Sequence, residues 1–266
     1  MQSILSSLLM CFFMVAGFSA TVWTRDRETG FLNRTVKVGS EVYRYQVYVP
    51  QQWSRQRKWP VILFLHGAGE RGSDGFIQTE VGIAKAIRIY NDRFPVIVVM
   101  PQCRKDVWWP AEAMQGQALA SLEQAVKEFH GDRARLYLTG LSMGGYGTWA
   151  IAAKHPGLFA ALTPICGGVK LPERLRAQQV SVAPAEAADP YGYIAGKVGR
   201  TPVWIFHGGD DKTVPPGESI KMNQALQAAG GQVKYTEYPG VGHNSWDKAY
   251  AEPEWIRWIL SQRLTK

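Results

Sequence analysis

Hydrophobic positions along this chain fall into two alternating kinds of pattern. Val61–Leu65 ("VILFL") and Val96–Met100 ("VIVVM") are unbroken apolar runs. Runs of that length bounded by Gly or Pro mark strands buried on both faces. "RLYLTG" (135–140), "LTPICGG" (162–168), "VWIFHGG" (203–209) and "VKYTEY" (233–238) continue the series. Val36–Val38 and Tyr43–Val49 alternate instead, as an opening hairpin does. Between the runs the period changes. Leu119, Leu122, Val126 and Phe129 repeat at three and four residues, which predicts a helix over 113–129 with one buried face. A second helix is expected over 217–229, closed by Gly230-Gly231, and a third over 252–263 with Trp255, Ile256, Ile259 and Leu260 on one side. Strands alternating with helices predict an α/β protein. Its mostly parallel sheet has about eight strands and helices on both faces.

Chain length and composition add one domain to that picture. The 266 residues are 46% hydrophobic and 20% charged, without repeats or low-complexity linkers. Ile4–Phe18 is nearly all apolar, and the first twenty residues hold no Lys, Arg, Asp or Glu. The run suits the core of a signal peptide and is short for a membrane span. Residues 1–20 are therefore expected to be cleaved, leaving 21–266 as a single secreted or periplasmic domain with no stable membrane insertion. The formal charge of +8 comes from scattered Lys and Arg. The densest group, Arg55–Lys58, is short and flanked by Trp53 and Trp59, so no nucleic-acid partner is expected. Beyond residue 20 only Cys103 and Cys166 remain; on non-adjacent strands they are expected to be free, buried thiols.

In a parallel sheet the chemistry gathers at the carboxyl ends of the strands. "GLSMG" (140–144) stands there, after a strand and before a helix. This is the context of a nucleophile elbow, a turn so tight that side chains at Gly140 and Gly144 would clash while Ser142 is lifted above the sheet. A serine hydroxyl needs a base. Of the five histidines, His130 and His155 fall at helix ends, and His66 and His207 end apolar strands before Gly, where a loop-orienting role is expected. His243, in the loop after the last strand, is the candidate base. Asp210 and Asp211 follow the 203–206 strand and are the candidate acids. The order Ser, Asp, His is that of α/β-hydrolases. Met143 N–H, just after the nucleophile, and the His66-Gly67-Ala68 turn, with Ala68 the expected donor, would form an oxyanion hole. The phosphate-loop alternative lacks the Lys-Ser/Thr ending and the G-x-G-x-x-G spacing, and no Cys/His set has zinc spacing. Trp108, Trp109 and Trp246 lie after strand ends near these residues and are expected to line the substrate pocket.

"LHGAGERG", "PQC" followed by "WW", "GLSMGGYG", "PICGG", "HGGDDKTVP" and "GHNSWDKAY" together resemble α/β-hydrolase esterases related to dienelactone hydrolases. Among these they resemble bacterial secreted proteins grouped with carboxylesterases and with feruloyl and polyhydroxybutyrate esterases, often labelled predicted peptidases. The resemblance covers about Thr29 to Arg263. It implies a serine esterase with Ser142 as nucleophile and His243 as base, and its HG-x-x-D-x-x-V-P spacing selects Asp211. It implies no metal or organic cofactor, and as partner a small-molecule or polymer-linked ester. Residues 169–201 are longer than in the shortest relatives and are expected to form a small cap insertion. Two other readings compete. A serine peptidase of the same fold ranks second, because no β-propeller is read ahead of the core as in prolyl oligopeptidases. A non-catalytic ligand-binding homologue ranks third, because every triad position is filled.

Overall fold

A computed structural model describes residues 28–171 and 181–265. The expected signal peptide lies outside the described residues. Eight strands form one sheet: β1 (Gly30–Val38), β2 (Glu41–Val49), β3 (Trp59–Leu65), β4 (Ile97–Pro101), β5 (Gly131–Leu141), β6 (Ala161–Ile165), β7 (Val203–Gly208) and β8 (Val233–Tyr238). Their order is β1-β2-β4-β3-β5-β6-β7-β8. β2 is antiparallel to both β1 and β4, and every other pair is parallel. This is the α/β-hydrolase architecture.

Each central strand feeds two cores, which is why its sequence reads as an unbroken apolar run. Val61, Leu63 and Leu65 face one core while Ile62 and Phe64 face the other. Ile97 and Val99 oppose Val98 and Met100 in the same way, as do Val203 and Ile205 against Trp204 and Phe206. The first core lies under α2 (Glu112–Glu128), α3 (Met143–Lys154), α4 (Pro190–Val198) and α5 (Gly217–Ala228). The second lies under α1 (Ile83–Ile89), α6 (Trp246–Ala251) and α7 (Pro253–Ser261). Trp59, Trp109 and Trp149 in the first core and Trp255 in the second are among the largest fully buried side chains.

The chain leaves β3 toward β4 on one side and returns to β5 on the other. Strand order therefore reverses between β3 and β5, and a crevice at their carboxyl ends follows from that reversal. Leu65 pairs in register with Gly140, so the loop after β3 and the turn after β5 meet at one level. Helix α4, within the segment expected to be a cap, packs against α3 and α5. Asp189 caps its N-terminus through Tyr191 and Gly192 N–H, with Pro190 at the first helical position.

Candidate active site

Ser142 is the residue between β5 and α3, with φ 52° and ψ −116°. A non-glycine residue in that region is strained by roughly 1–3 kcal/mol and persists only where its surroundings impose it. Here they do. A side chain on Gly140 would collide with the backbone of Gly144, and one on Gly144 with the carbonyl oxygen of Leu65. Ser142 N–H is held by Ile165 O at 2.9 Å, and Ser142 O accepts from Gly145 N–H at 2.8 Å. Backbone close-packing on three sides thus drives the turn, and the serine side chain emerges partly exposed.

Three side chains from three loops converge on this point. His243 Nε2 lies 2.9 Å from Ser142 Oγ, and His243 Nδ1 lies 2.6 Å from Asp211 Oδ2. The imidazole side chain is 22% exposed and the carboxylate side chain 0%, so the charge sits at the closed end of the chain of hydrogen bonds and the serine at the open end. Asp210 is exposed, its N–H bound to Val241 O. The aspartate joined to His243 is Asp211.

Asp211 is heavily engaged. Its Oδ1 accepts from Thr213 N–H at 2.8 Å and Val214 N–H at 3.0 Å. Its Oδ2 receives His243 and also lies 3.2 Å from His207 Nε2. Burial opposes ionisation of this carboxyl. Hydrogen bonds from His207, His243 and Val214 N–H outweigh it and hold the group well below the usual carboxylate range. Cys166, Asp211 and His243 bring potential ligand atoms within 4.8 Å of one another. The four acceptor positions of Asp211 are already taken by N–H donors, however, and burial pushes the Cys166 thiol up to about 12. That donor set does not fit a cation.

The loop after β3 faces the same point. A methyl built on Gly67 would lie 3.8 Å from Ser142 Cβ. Ala68 follows at the start of a short 3₁₀ turn, Ala68–Glu70. Met143 N–H occupies the first position of α3, where a helix has no internal acceptor for it. The loop is pinned from below by His66. Its Nε2 accepts Cys103 N–H at 2.9 Å, which leaves Nδ1 to carry the proton and donate to Gly67 O at 2.6 Å. Burial lowers this imidazole to about 4, so it is neutral and the 3.9 Å approach of Glu70 is not an ion pair. His66 is the loop-orienting residue its position predicted.

The structure corrects the expectation for Trp108 and Trp109. Trp109 is fully buried, donates its indole N–H to His66 O at 2.9 Å and stands edge-on to the His66 ring. Trp108 is 6% exposed and packs edge-on against Tyr146. Both belong to the first core, near the loop after β3, because the chain turns inward after Lys105 before entering α2. Trp246 is half-buried, with its ring 5.5 Å from that of His243 and perpendicular to it. His207 was missed as a neighbour of the acid. Its four-residue spacing from Asp211 carries no such signal until the loop is folded.

A protein of this fold, with serine, imidazole and carboxylate hydrogen-bonded in line, has the constellation of a serine hydrolase. Residues 112–261 match the model of the prolyl oligopeptidase family, and the chain belongs to that family. It is 30% identical over 159 residues to a protein of Escherichia coli (strain K12) provisionally named carboxymethylenebutenolidase, covering 56% of this chain and 54% of that one. It is 32% identical over 140 residues to poly(3-hydroxyalkanoate) depolymerase C of Paucimonas lemoignei, covering 48% and 31%. The chain thus spans about half the length or less of the curated relatives it matches. Among solved structures it resembles a thermostable esterase at 31% identity with a TM-score of 0.73, covering 88% of this chain and 63% of that one.

Proposed function

We propose that this protein hydrolyses carboxylic esters through an acyl-enzyme. The observation that carries the reading is the hydrogen-bonded line from Ser142 Oγ through His243 to the buried Asp211 carboxylate. Ser142 Oγ attacks the ester carbonyl and its proton passes to His243 Nε2. Asp211 holds the Nδ1–H tautomer and stabilises the imidazolium. Ala68 and Met143 N–H receive the oxyanion. The alcohol leaves with the proton from His243, and water activated by the same nitrogen releases the acid. These steps call on no metal or organic cofactor.

The esterase names of the relatives support an ester substrate, small or polymer-linked, with Trp246 as the remaining aromatic contact. A peptidase is the second reading, favoured by the family match. We also infer a single exported domain over 21–266. Among the described residues no helix is long and apolar enough to cross a membrane. We read residues 169–201 as a small cap insertion, within which α4 packs against α3 and α5.

The test pairs a fluorophosphonate probe with a panel of p-nitrophenyl esters, methyl ferulate, a polyester and peptide amides. Wild-type protein should be labelled and should turn over esters faster than amides. Ser142→Ala should lose labelling and on the order of 10⁴-fold or more in turnover while staying folded. Retention of a tenth of wild-type turnover by that variant would remove Ser142 as nucleophile, and a wild type that never labels would point to a binding protein.

A further inference from the structure

We propose that His207 is a positioning residue for the triad acid: a second, fully buried imidazole that holds the Asp211 carboxylate in line with His243. The inference rests on the serine-hydrolase reading above and extends it.

His207 is the fifth residue of β7 and is 0% exposed. Its ring is bound at both nitrogens. Nε2 lies 3.0 Å from Val214 O and 3.2 Å from Asp211 Oδ2; Nδ1 lies 2.6 Å from Ser219 Oγ, on the first turn of α5. A carbonyl and a carboxylate both require a donor, so Nε2 carries the proton and shares it between them. Nδ1 then accepts from the Ser219 hydroxyl, and that hydrogen bond sets the tautomer.

The contacts close a ring around the acid. Val214 N–H donates to Asp211 Oδ1, and Val214 O receives His207. Turning the carboxylate about its χ2 axis would break hydrogen bonds to Thr213 and Val214 on one oxygen and to His207 on the other. Only one orientation satisfies all of them, and it aims Oδ2 at His243 Nδ1 at 2.6 Å. His243 approaches from a separate loop after β8, so nothing on its own element would orient the carboxylate. His207 instead comes from the rigid strand that precedes the Asp211 loop, and a buried donor on a fixed strand positions better than one on a loop. The residue touches neither Ser142 nor the oxyanion loop in any hydrogen bond of the described residues. Its effect passes through Asp211.

The test uses the full chain and three variants. His207→Leu removes the donor at similar volume, His207→Gln restores an N–H near the Nε2 position, and Ser219→Ala removes the tautomer lock. The readouts are the second-order rate of fluorophosphonate labelling and, on the best ester, kcat and KM separately. Labelling joins Ser142 Oγ to phosphorus as fluoride leaves, and the serine proton leaves through His243, so it reports triad competence whatever the natural substrate. His207→Leu should lower labelling and kcat by roughly 10- to 100-fold with KM little changed, as expected for loss of one hydrogen bond to a buried charge. His207→Gln should recover most of the loss, and Ser219→Ala should fall between the two. All rates are taken well below each variant's melting temperature. Should His207→Leu fail to fold, the His207→Gln and Ser219→Ala pair still decides, because an ordered loss of rate at unchanged KM supports positioning. Wild-type rates in folded His207→Leu, or in both remaining variants, would overturn the proposal. So would His207→Gln being as slow as His207→Leu. Absence of labelling in the wild type would instead sink the serine-hydrolase reading itself.

Discussion

His66, just after β3, and His207, near the end of β7, share one local sequence, a histidine followed by glycine after an apolar run, and both are fully buried. Their surroundings nevertheless differ in kind. Around His66 every hydrogen bond goes to backbone: Gly67 O on one nitrogen and Cys103 N–H on the other. Around His207 two side chains enter, Ser219 and the ionised Asp211. The first imidazole ties a loop to its neighbour. The second meets a charge. The same residue in the same place on parallel strands takes its role from what the next loop carries back to it: peptide groups after β3, a carboxylate after β7.

The largest effect that tests this contrast is at the acid itself. Asp211→Asn should lower kcat by about 10⁴-fold, because the amide presents a donor where His243 Nδ1–H needs an acceptor. Asp210→Asn, on an exposed neighbour, should leave kcat near the wild-type value. Steady-state kinetics on one ester separates the two, and an inactive Asp210 variant beside an active Asp211 variant would reverse the assignment.

Next in size is a stability effect at His66. Its imidazole is lowered from 6.5 to about 4 by burial, so the unfolded chain binds a proton there that the folded chain refuses. Stability from this group is complete above pH 6.5, declines as pH falls, and is lost at about pH 4. The total is about 3 kcal/mol. Asp211 works in a different window. Its carboxyl is depressed, so its contribution persists down to the ordinary carboxylate range and fails only below it. Urea unfolding at pH 7, 5.5 and 4 should show a steeper decline for wild type than for His66→Gln, which starts less stable but carries no titrating group. Parallel pH dependences would place the proton uptake elsewhere.

The smallest effect is the change in substrate preference at Trp246, with Trp109 as its contrast. Trp246→Ala should change preference among acyl groups by about tenfold or less, with melting nearly unchanged. Trp109→Ala should lower stability by about 3–5 kcal/mol and depress all esters alike, since it opens a cavity under the loop after β3. Melting curves with an ester panel distinguish them, and equal behaviour of the two variants would erase the distinction between site and core drawn here.

Much of this was legible in the sequence for a physical reason. Strands β3 and β4, the 203–206 run of β7 and the 136–138 run of β5 are packed on both faces, so they had to be apolar, and the elbow had to be glycine where backbone meets backbone. Strand β1 was seen only from Val36 because its first half lies at the sheet edge, where residues 30–35 are half-buried or exposed and nothing forces an apolar pattern. Helix α4 was hidden by Gly192 and Gly196 within nine residues, although Asp189-Pro190 was a readable start signal. Trp108 and Trp109 were placed by their distance along the chain from a strand end. That distance does not encode whether the chain turns toward solvent or under the loop.

The two cysteines give the sheet a further property. Cys103 follows β4 and Cys166 follows β6, with β3 and β5 between them, and both thiols are free and buried. Three strand intervals amount to roughly 14 Å. A disulfide spans about 7 Å at most between Cα atoms. Oxidation can therefore join them only in a chain that has not yet folded, and the resulting crosslink would forbid the native strand order. In an oxidising compartment, folding becomes a race between sheet closure and thiol capture. The closed sheet is then its own protection, and the rate at which a small alkylating agent reaches either sulfur counts the moments when the sheet comes apart.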